Sequence, residues 1–258
     1  MKHLISVLVL LLMAGTGMLW AYQDSSPNLA TPTALEDMEG EFTLNHRFYG
    51  AVDNNVGDTF FGLNSGANVG VSYRQNFRYG LEANIGKLTA KNEFYAGISY
   101  RPAPKDFIVR AQVDLQYFSF DEPSQADRRS NMMLLISAQN KPLYDRLTLN
   151  LNIGYDAYYQ RLINGLGLSI KLTDKASIIG EYYPVIDRTS ANYDTRLYLG
   201  EDDVVVLGAK FDTYGHQFMF TLSNGEGMDT RHLSMGTNSP NSNPMANVKF
   251  GFNLQRRF

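Results

Sequence analysis

The chain has 258 residues, a formal net charge of −3, 44% hydrophobic residues and no cysteine. Disulfides and thiolate metal sites are therefore excluded, and the mildly acidic balance gives no nucleic-acid footprint. Mean hydropathy of −0.26, with no apolar run of about 20 residues beyond the N-terminus, argues against membrane-spanning helices. It leaves open a transmembrane barrel, whose strands are only half apolar.

In chain order, Lys2 and His3 precede an apolar run from Leu4 to Leu12. Small residues Ala14, Gly15 and Gly17 follow, then Leu19-Trp20-Ala21. This pattern predicts a secretory signal peptide over residues 1–21. Its removal leaves about 237 residues with a formal charge of −4, enough for one large all-β domain. Residues 22–39 are polar and carry Pro27 and Pro32. They are expected to form an extended periplasmic lead-in, with at most a helical turn at Leu35-Glu36-Asp37.

From Gly40 onward the pattern has period 2, the signature of strands whose alternate side chains face opposite sides. Twelve strands are predicted within residues 40–258. They are Glu41 to Tyr49, Ala67 to Arg74, Tyr79 to Gly86, Glu93 to Tyr100, Phe107 to Tyr117, Asn131 to Asn140, Leu147 to Asp156, Leu162 to Leu172, Ala176 to Tyr183, Val204 to Phe211, His216 to Ser223, and Ala246 to Phe258. The fifth alternates cleanly, with Val109, Ala111, Val113 and Leu115 against Arg110, Gln112 and Asp114. The sixth and eighth do not, and which of their faces is apolar stays open.

The gaps carry independent information. The even ones are short, among them Gln75 to Arg78 and Thr173 to Lys175. The odd ones include Gly50 to Gly66, Ser119 to Ser130, Pro184 to Asp203 and Asn224 to Met245. A closed outer-membrane barrel sorts its loops in this way, whereas a Greek-key sandwich has no reason to. The fold class expected is all-β, a closed antiparallel barrel of about twelve strands. Tyr73, Tyr79, Tyr100, Phe107, Tyr117, Tyr155, Tyr182 and Phe211 fall near strand ends, where aromatic girdles belong.

The last strand is apolar at Val248, Phe250, Phe252 and Leu254, with Arg256 breaking the run before Phe258. Such a strand resembles the sorting signal of bacterial outer-membrane barrels. This resemblance makes Phe250, Phe252, Leu254 and Phe258 the assembly-signal residues, and the barrel-assembly machinery a partner. More widely, Leu44-Asn45-His46-Arg47-Phe48, Phe60-Phe61-Gly62-Leu63, Glu181-Tyr182-Tyr183, Gly215-His216-Gln217-Phe218, Ser223-Asn224-Gly225 and Phe250-Gly251-Phe252-Asn253 together resemble a family. It is a membrane-bound β-barrel domain family of unknown function, of Bacteroidota type, and the resemblance extends over nearly all of the mature chain. It implies a barrel in the outer membrane and brings no established activity with it.

The inner face is expected to carry Arg74, Glu82, Glu93, Arg110, Asp114, Asp156, Lys171, Glu181, Lys210 and Lys249. Either these charges line a pore for small polar solutes, or they pair and close the lumen; mixed signs favour pairing. Twelve strands lie between barrels that side chains fill and open porins. His46 and His216 come near each other only if the sheet closes, and His46 shares a face with Phe42, Leu44 and Phe48. No G-x-S-x-G elbow occurs, and Ser223 is too far along its strand from His216 to bond to it. Gly225-Glu226-Gly227-Met228-Asp229 does not fit an EF-hand loop and reads as a flexible turn. Glu201-Asp202-Asp203 reads as a solvated loop end, and Thr237 to Pro244 as a loop. No catalytic residue, metal or cofactor is assigned. The expected function is a passive channel or loop-presenting barrel, with a lipid-modifying enzyme or a docking partner as alternatives. Outer-membrane lipid is the expected surrounding, and the oligomeric state is left open.

Overall fold

The computed structural model describes residues 26–32, 35–52, 56–89, 92–102, 107–119, 128–186, 200–238 and 247–258. The predicted signal peptide and the middles of the loops over 120–127, 187–199 and 239–246 lie outside these. Twelve strands form one closed antiparallel sheet. They are β1 (Gly40–Ala51), β2 (Ala67–Arg78), β3 (Leu81–Leu88), β4 (Glu93–Tyr100), β5 (Phe107–Ser119), β6 (Arg128–Asn140), β7 (Leu147–Asp156), β8 (Arg161–Thr173), β9 (Ala176–Tyr183), β10 (Val204–Thr213), β11 (His216–Ser223) and β12 (Lys249–Arg257). Two short helices lie in long connections, α1 (Val56–Thr59) after β1 and α2 (Thr230–Leu233) after β11.

Each strand pairs with its sequence neighbours, and β1 closes on β12 from Glu41↔Arg257 to Arg47↔Gly251. Closure has a direct physical cause. The outer face is studded with exposed apolar residues such as Ile98, Leu115, Ile136, Ile153 and Leu207. That face suits hydrocarbon, where each unpaired backbone group costs several kcal/mol, on the order of 2–7. A sheet without edges leaves none. Alternation then sends Glu82, Asp156 and Gln217 inward, where they are almost wholly buried. Phe250, Phe252 and Leu254 alternate outward with inward Gly251, Asn253 and Gln255.

One strand boundary differs from the sequence reading for a clear reason. Tyr79 was expected to open the third strand, but Tyr79 and Gly80 form the two-residue turn between β2 and β3, with φ of 54° and 77°. Positive φ at both places is the tight-hairpin geometry that follows sheet twist. Gly80 is required there, since a Cβ would lie 1.9 Å from the Arg101 carbonyl oxygen. Lys171 also departs from expectation. It sits at the turn end, exposed, and pairs with Asp174 rather than facing the lumen.

The interior is not uniformly polar. Leu29, Tyr183, Val204, Val206 and Leu233 form one buried apolar cluster. Met133, Leu135, Tyr159, Ile163 and Met235 form another. Both lie against β6–β10, and both include residues from outside the wall.

Candidate functional site

The first element of the site comes from the N-terminal segment. Residues 26–32 were expected as a lead-in outside the barrel, yet they lie within it. Glu181 on β9 is their receptacle. Its carboxylate accepts the Asn28 backbone N–H (2.9 Å), the Asn28 side-chain amide (2.6 Å), the Leu29 N–H (3.1 Å) and the Ser26 hydroxyl. The Tyr183 hydroxyl donates to it as well (3.0 Å). A buried carboxylate with this many donors is well matched, whereas an unmatched one is costly. Asn152 on β7 exchanges two hydrogen bonds with Ala30 (2.9 and 2.8 Å), and the Asn253 amide donates to the Pro27 carbonyl.

Space for the segment comes from β8. A Cβ at either Gly165 or Gly167 would lie 2.5 Å from a Leu29 methyl carbon. The missing side chains open a seat for Leu29, whose burial contributes about 1.5–3 kcal/mol.

The second element enters from the loop end. Residues 224–238, read from sequence as beginning in a flexible turn, fold inward and pack. Asp229 caps α2 through the His232 N–H, satisfying a donor that a helix start leaves over. This capping orients Arg231 into the lumen, where it bonds Glu93 of β4 (2.9 and 3.0 Å) and Asp156 of β7. Its guanidinium also lies over the Tyr159 ring, 5.3 Å from the centroid. Burial opposes its charge, but Glu93 and Asp156 outweigh that and hold Arg231 protonated well beyond the ordinary range.

His232 sits between Asp229 (Nδ1, 2.9 Å) and Glu93 (Nε2, 3.0 Å). Burial again opposes its charge. The two carboxylates prevail and raise its pKa to about 10, so His232 is an imidazolium at neutral pH. This group of charges latches the loop across the barrel from β4 to β7.

The third element is a charged belt at the turn end. Arg257 bonds Glu41 (2.9 Å), Glu41 bonds Arg74 (2.9 Å), and Glu82 lies 3.5 Å from Arg74 and 3.3 Å from Arg110. Between belt and latch runs a polar cavity of about 190 Å³. Thr43, Asn45, Ser72, Asn84, Tyr95 and Gln112 form much of its wall on β1–β5, and residues 26–31 form the opposite side. Beyond the latch, at the loop end, is a wider space of about 670 Å³ that His232, Tyr159 and Asn247 help to line.

Nine of the ten charged positions expected on the inner face project inside, Lys171 being the exception, but they do not form one ring. Arg74, Glu82 and Arg110 belong to the belt, and Glu93 and Asp156 to the latch. Glu181 holds the N-terminal segment, and Asp114 faces the cavity. Lys210 pairs with Asp212 (3.6 Å) and Lys249 with Glu226 (3.4 Å).

Sequence reasoning missed Glu41, Arg257, Arg231 and Asn152, and missed residues 26–31 altogether. A signal for the segment was present. Met133, Leu135, Ile163, Tyr183 and Val206 fall on inward positions of β6, β8, β9 and β10, and apolar residues turned into a polar lumen imply something packed there. This also explains why the sixth and eighth strands gave no clear apolar face: apolar residues occur on both faces, with Met133 and Leu135 inside β6 and Ile163 inside β8. The two strand histidines face outward. His46 stacks on Phe252 with centroids 4.9 Å apart, and His216 Nε2 lies 3.3 Å from Arg256. They belong to the outer surface.

Residues 147–258, which hold β7–β12, match the family model described as a membrane bound beta barrel domain (DUF5777). The Glu181, Gly215, Ser223 and Phe250 motifs fall inside this match, whereas the Leu44 and Phe60 motifs precede it. The chain is a closed twelve-stranded β-barrel, and its second half resembles that membrane-bound family. Among solved structures it is similar to the KdgM porin (9% identity, TM-score 0.52, covering 85% of this chain and 99% of that one). It is also similar to the KdgM porin in complex with disordered oligogalacturonate (8% identity, TM-score 0.50, 84% and 99%) and to the NanC porin (9% identity, TM-score 0.49, 84% and 97%). At such identities the likeness is one of fold. No curated protein matches the chain.

Proposed function

We propose that this barrel is exported by a signal peptide over residues 1–21, inserts into the outer membrane, and passes small polar solutes passively. The turn end then faces the periplasm and the long loops face outward. The cavity along β1–β5 carries this reading. It is lined on β1–β5 by amides and hydroxyls and runs from the charged belt to the Arg231 latch. A cavity of about 190 Å³ admits only small solutes. The fold shared with a protein named as a porin supports the same class.

A second reading has its own observation. The N-terminal segment and the paired charges cross the lumen below the loop-end space, which favours a sealed barrel that presents loops. Reconstitution of the mature protein in planar bilayers separates the two. Small, discrete conductance steps are expected from the channel. A folded, inserted barrel that stays silent overturns it in favour of the sealed one.

A further inference from the structure

We infer that Asp114 on β5 makes the passage prefer small monovalent cations over anions; this rests on the channel reading. Asp114 is 3% exposed and faces the cavity midway along β5. Its place is built. It pairs across the sheet with Gly97, where a Cβ would lie 1.8 Å from Asp114 Oδ1. Only a glycine leaves the carboxylate room to lie over β4. The Asn84 amide then donates to Oδ1 (3.1 Å) and the Gln112 amide to Oδ2 (2.7 Å). These donors fix the carboxylate without neutralising it, and they occupy two of its roughly four lone-pair sites.

The other cavity acids differ. Glu41 lies within reach of Arg74 and Arg257, Glu93 of Arg231, and Asp229 of His232. Among the described residues Asp114 has no ion-pair partner within 4 Å. Arg110, four residues along the same strand, bonds Glu82 instead. Counting the cavity-lining charges together with their ion-pair partners, Glu41, Glu82, Glu93, Asp114, Asp156 and Asp229 face Arg74, Arg110, Arg231, Arg257 and the His232 imidazolium. The surplus is one negative charge, and the unpaired carboxylate is where a passing cation finds it. In a low-dielectric pore a single fixed charge is felt strongly by a permeant ion. The belt, with three guanidiniums to two carboxylates, works against entry from the turn end and limits the preference to a modest one.

The test is the reversal potential of the mature protein in bilayers under a KCl gradient, compared with Asp114→Asn. Wild type is expected to favour K⁺ over Cl⁻ several-fold, and the variant to fall to a ratio of about one. Heat-dependent gel mobility checks that the variant folds. An anion-preferring wild type overturns the inference whether or not the variant folds. A cation-preferring variant overturns the role of Asp114 while leaving the channel intact. Silence of the wild type removes the channel reading, and this inference with it.

Discussion

Against β7–β12 the lumen is solid: Leu29 fills the seat over Gly165 and Gly167, Glu181 grips the segment backbone, and Leu233 and Met235 close over the top. Against β1–β5 the same lumen is wet, with Thr43, Asn45, Ser72, Asn84 and Gln112 facing a cavity. The two halves share strand geometry and hydrogen bonding, so the backbone does not set the difference. Their inward side chains do. Met133, Leu135, Ile163, Ile179, Tyr183, Val204, Val206 and Met219 sit inside β6–β11, whereas β1–β5 offer Leu88 and otherwise mainly polar groups. An incoming segment with one leucine to bury settles where apolar surface already waits. Barrel size alone therefore does not decide whether twelve strands enclose a pore; the sequence of the inner face does.

The residue joining the halves is Arg231, and removing it should have the largest effect. Arg231→Met leaves Asp156 buried without a counter-charge and Glu93 with His232 alone, a loss of about 3–5 kcal/mol. Thermal unfolding in detergent should show a clearly lower midpoint, and the loop over 224–238 should become accessible to protease. An unchanged midpoint would mean that the latch ties nothing together.

Loosening the solid half comes next. Glu181→Ala strands the donors of Ser26, Asn28 and Leu29, at about 1–3 kcal/mol for each one left without water. Since the chain has no cysteine, a single Thr31→Cys probe reports whether the segment leaves its seat. Faster maleimide labelling and several-fold larger conductance are expected. Gly167→Val should act in the same direction through Leu29. Gly180→Ala faces outward with no atom nearer than 3.7 Å and should change neither readout.

The smallest effect is a pH dependence of the latch. His232 is raised from 6.5 to about 10, so the folded protein binds its proton more tightly than the unfolded chain does. The stabilisation is full below pH 6.5, declines as pH rises above that, and is gone once pH passes about 10. The midpoint difference between wild type and His232→Gln should therefore shrink over this window. A constant difference from pH 6 to 11 would show that His232 holds the latch by shape and not by charge.

Most of the barrel was legible in the chain. Period-2 alternation located all twelve strands because one face must meet hydrocarbon and the other must not, and four of them match the prediction end to end. Unequal gap lengths gave the two ends of the barrel. The same alternation put Asp114 and Glu181 on the inner face but not Glu41, Arg47 or Arg257, which also turn inward. It failed at Tyr79, where turn backbone overrode an aromatic that suited a strand, and at Lys171, which lies past the point where the inner face ends.

Partners inside the lumen were beyond such a reading. That Arg231 crosses from a loop to Glu93 and Asp156, residues 138 and 75 positions away, depends on how the sheet curls. So does the meeting of Asn28 with Glu181, 153 positions along the chain. Periodicity is a local property, fixed by where each side chain points along its own strand. Occupancy of the interior is decided only after closure, when volume, apolar surface and unmatched charge from distant segments compete for one enclosed space.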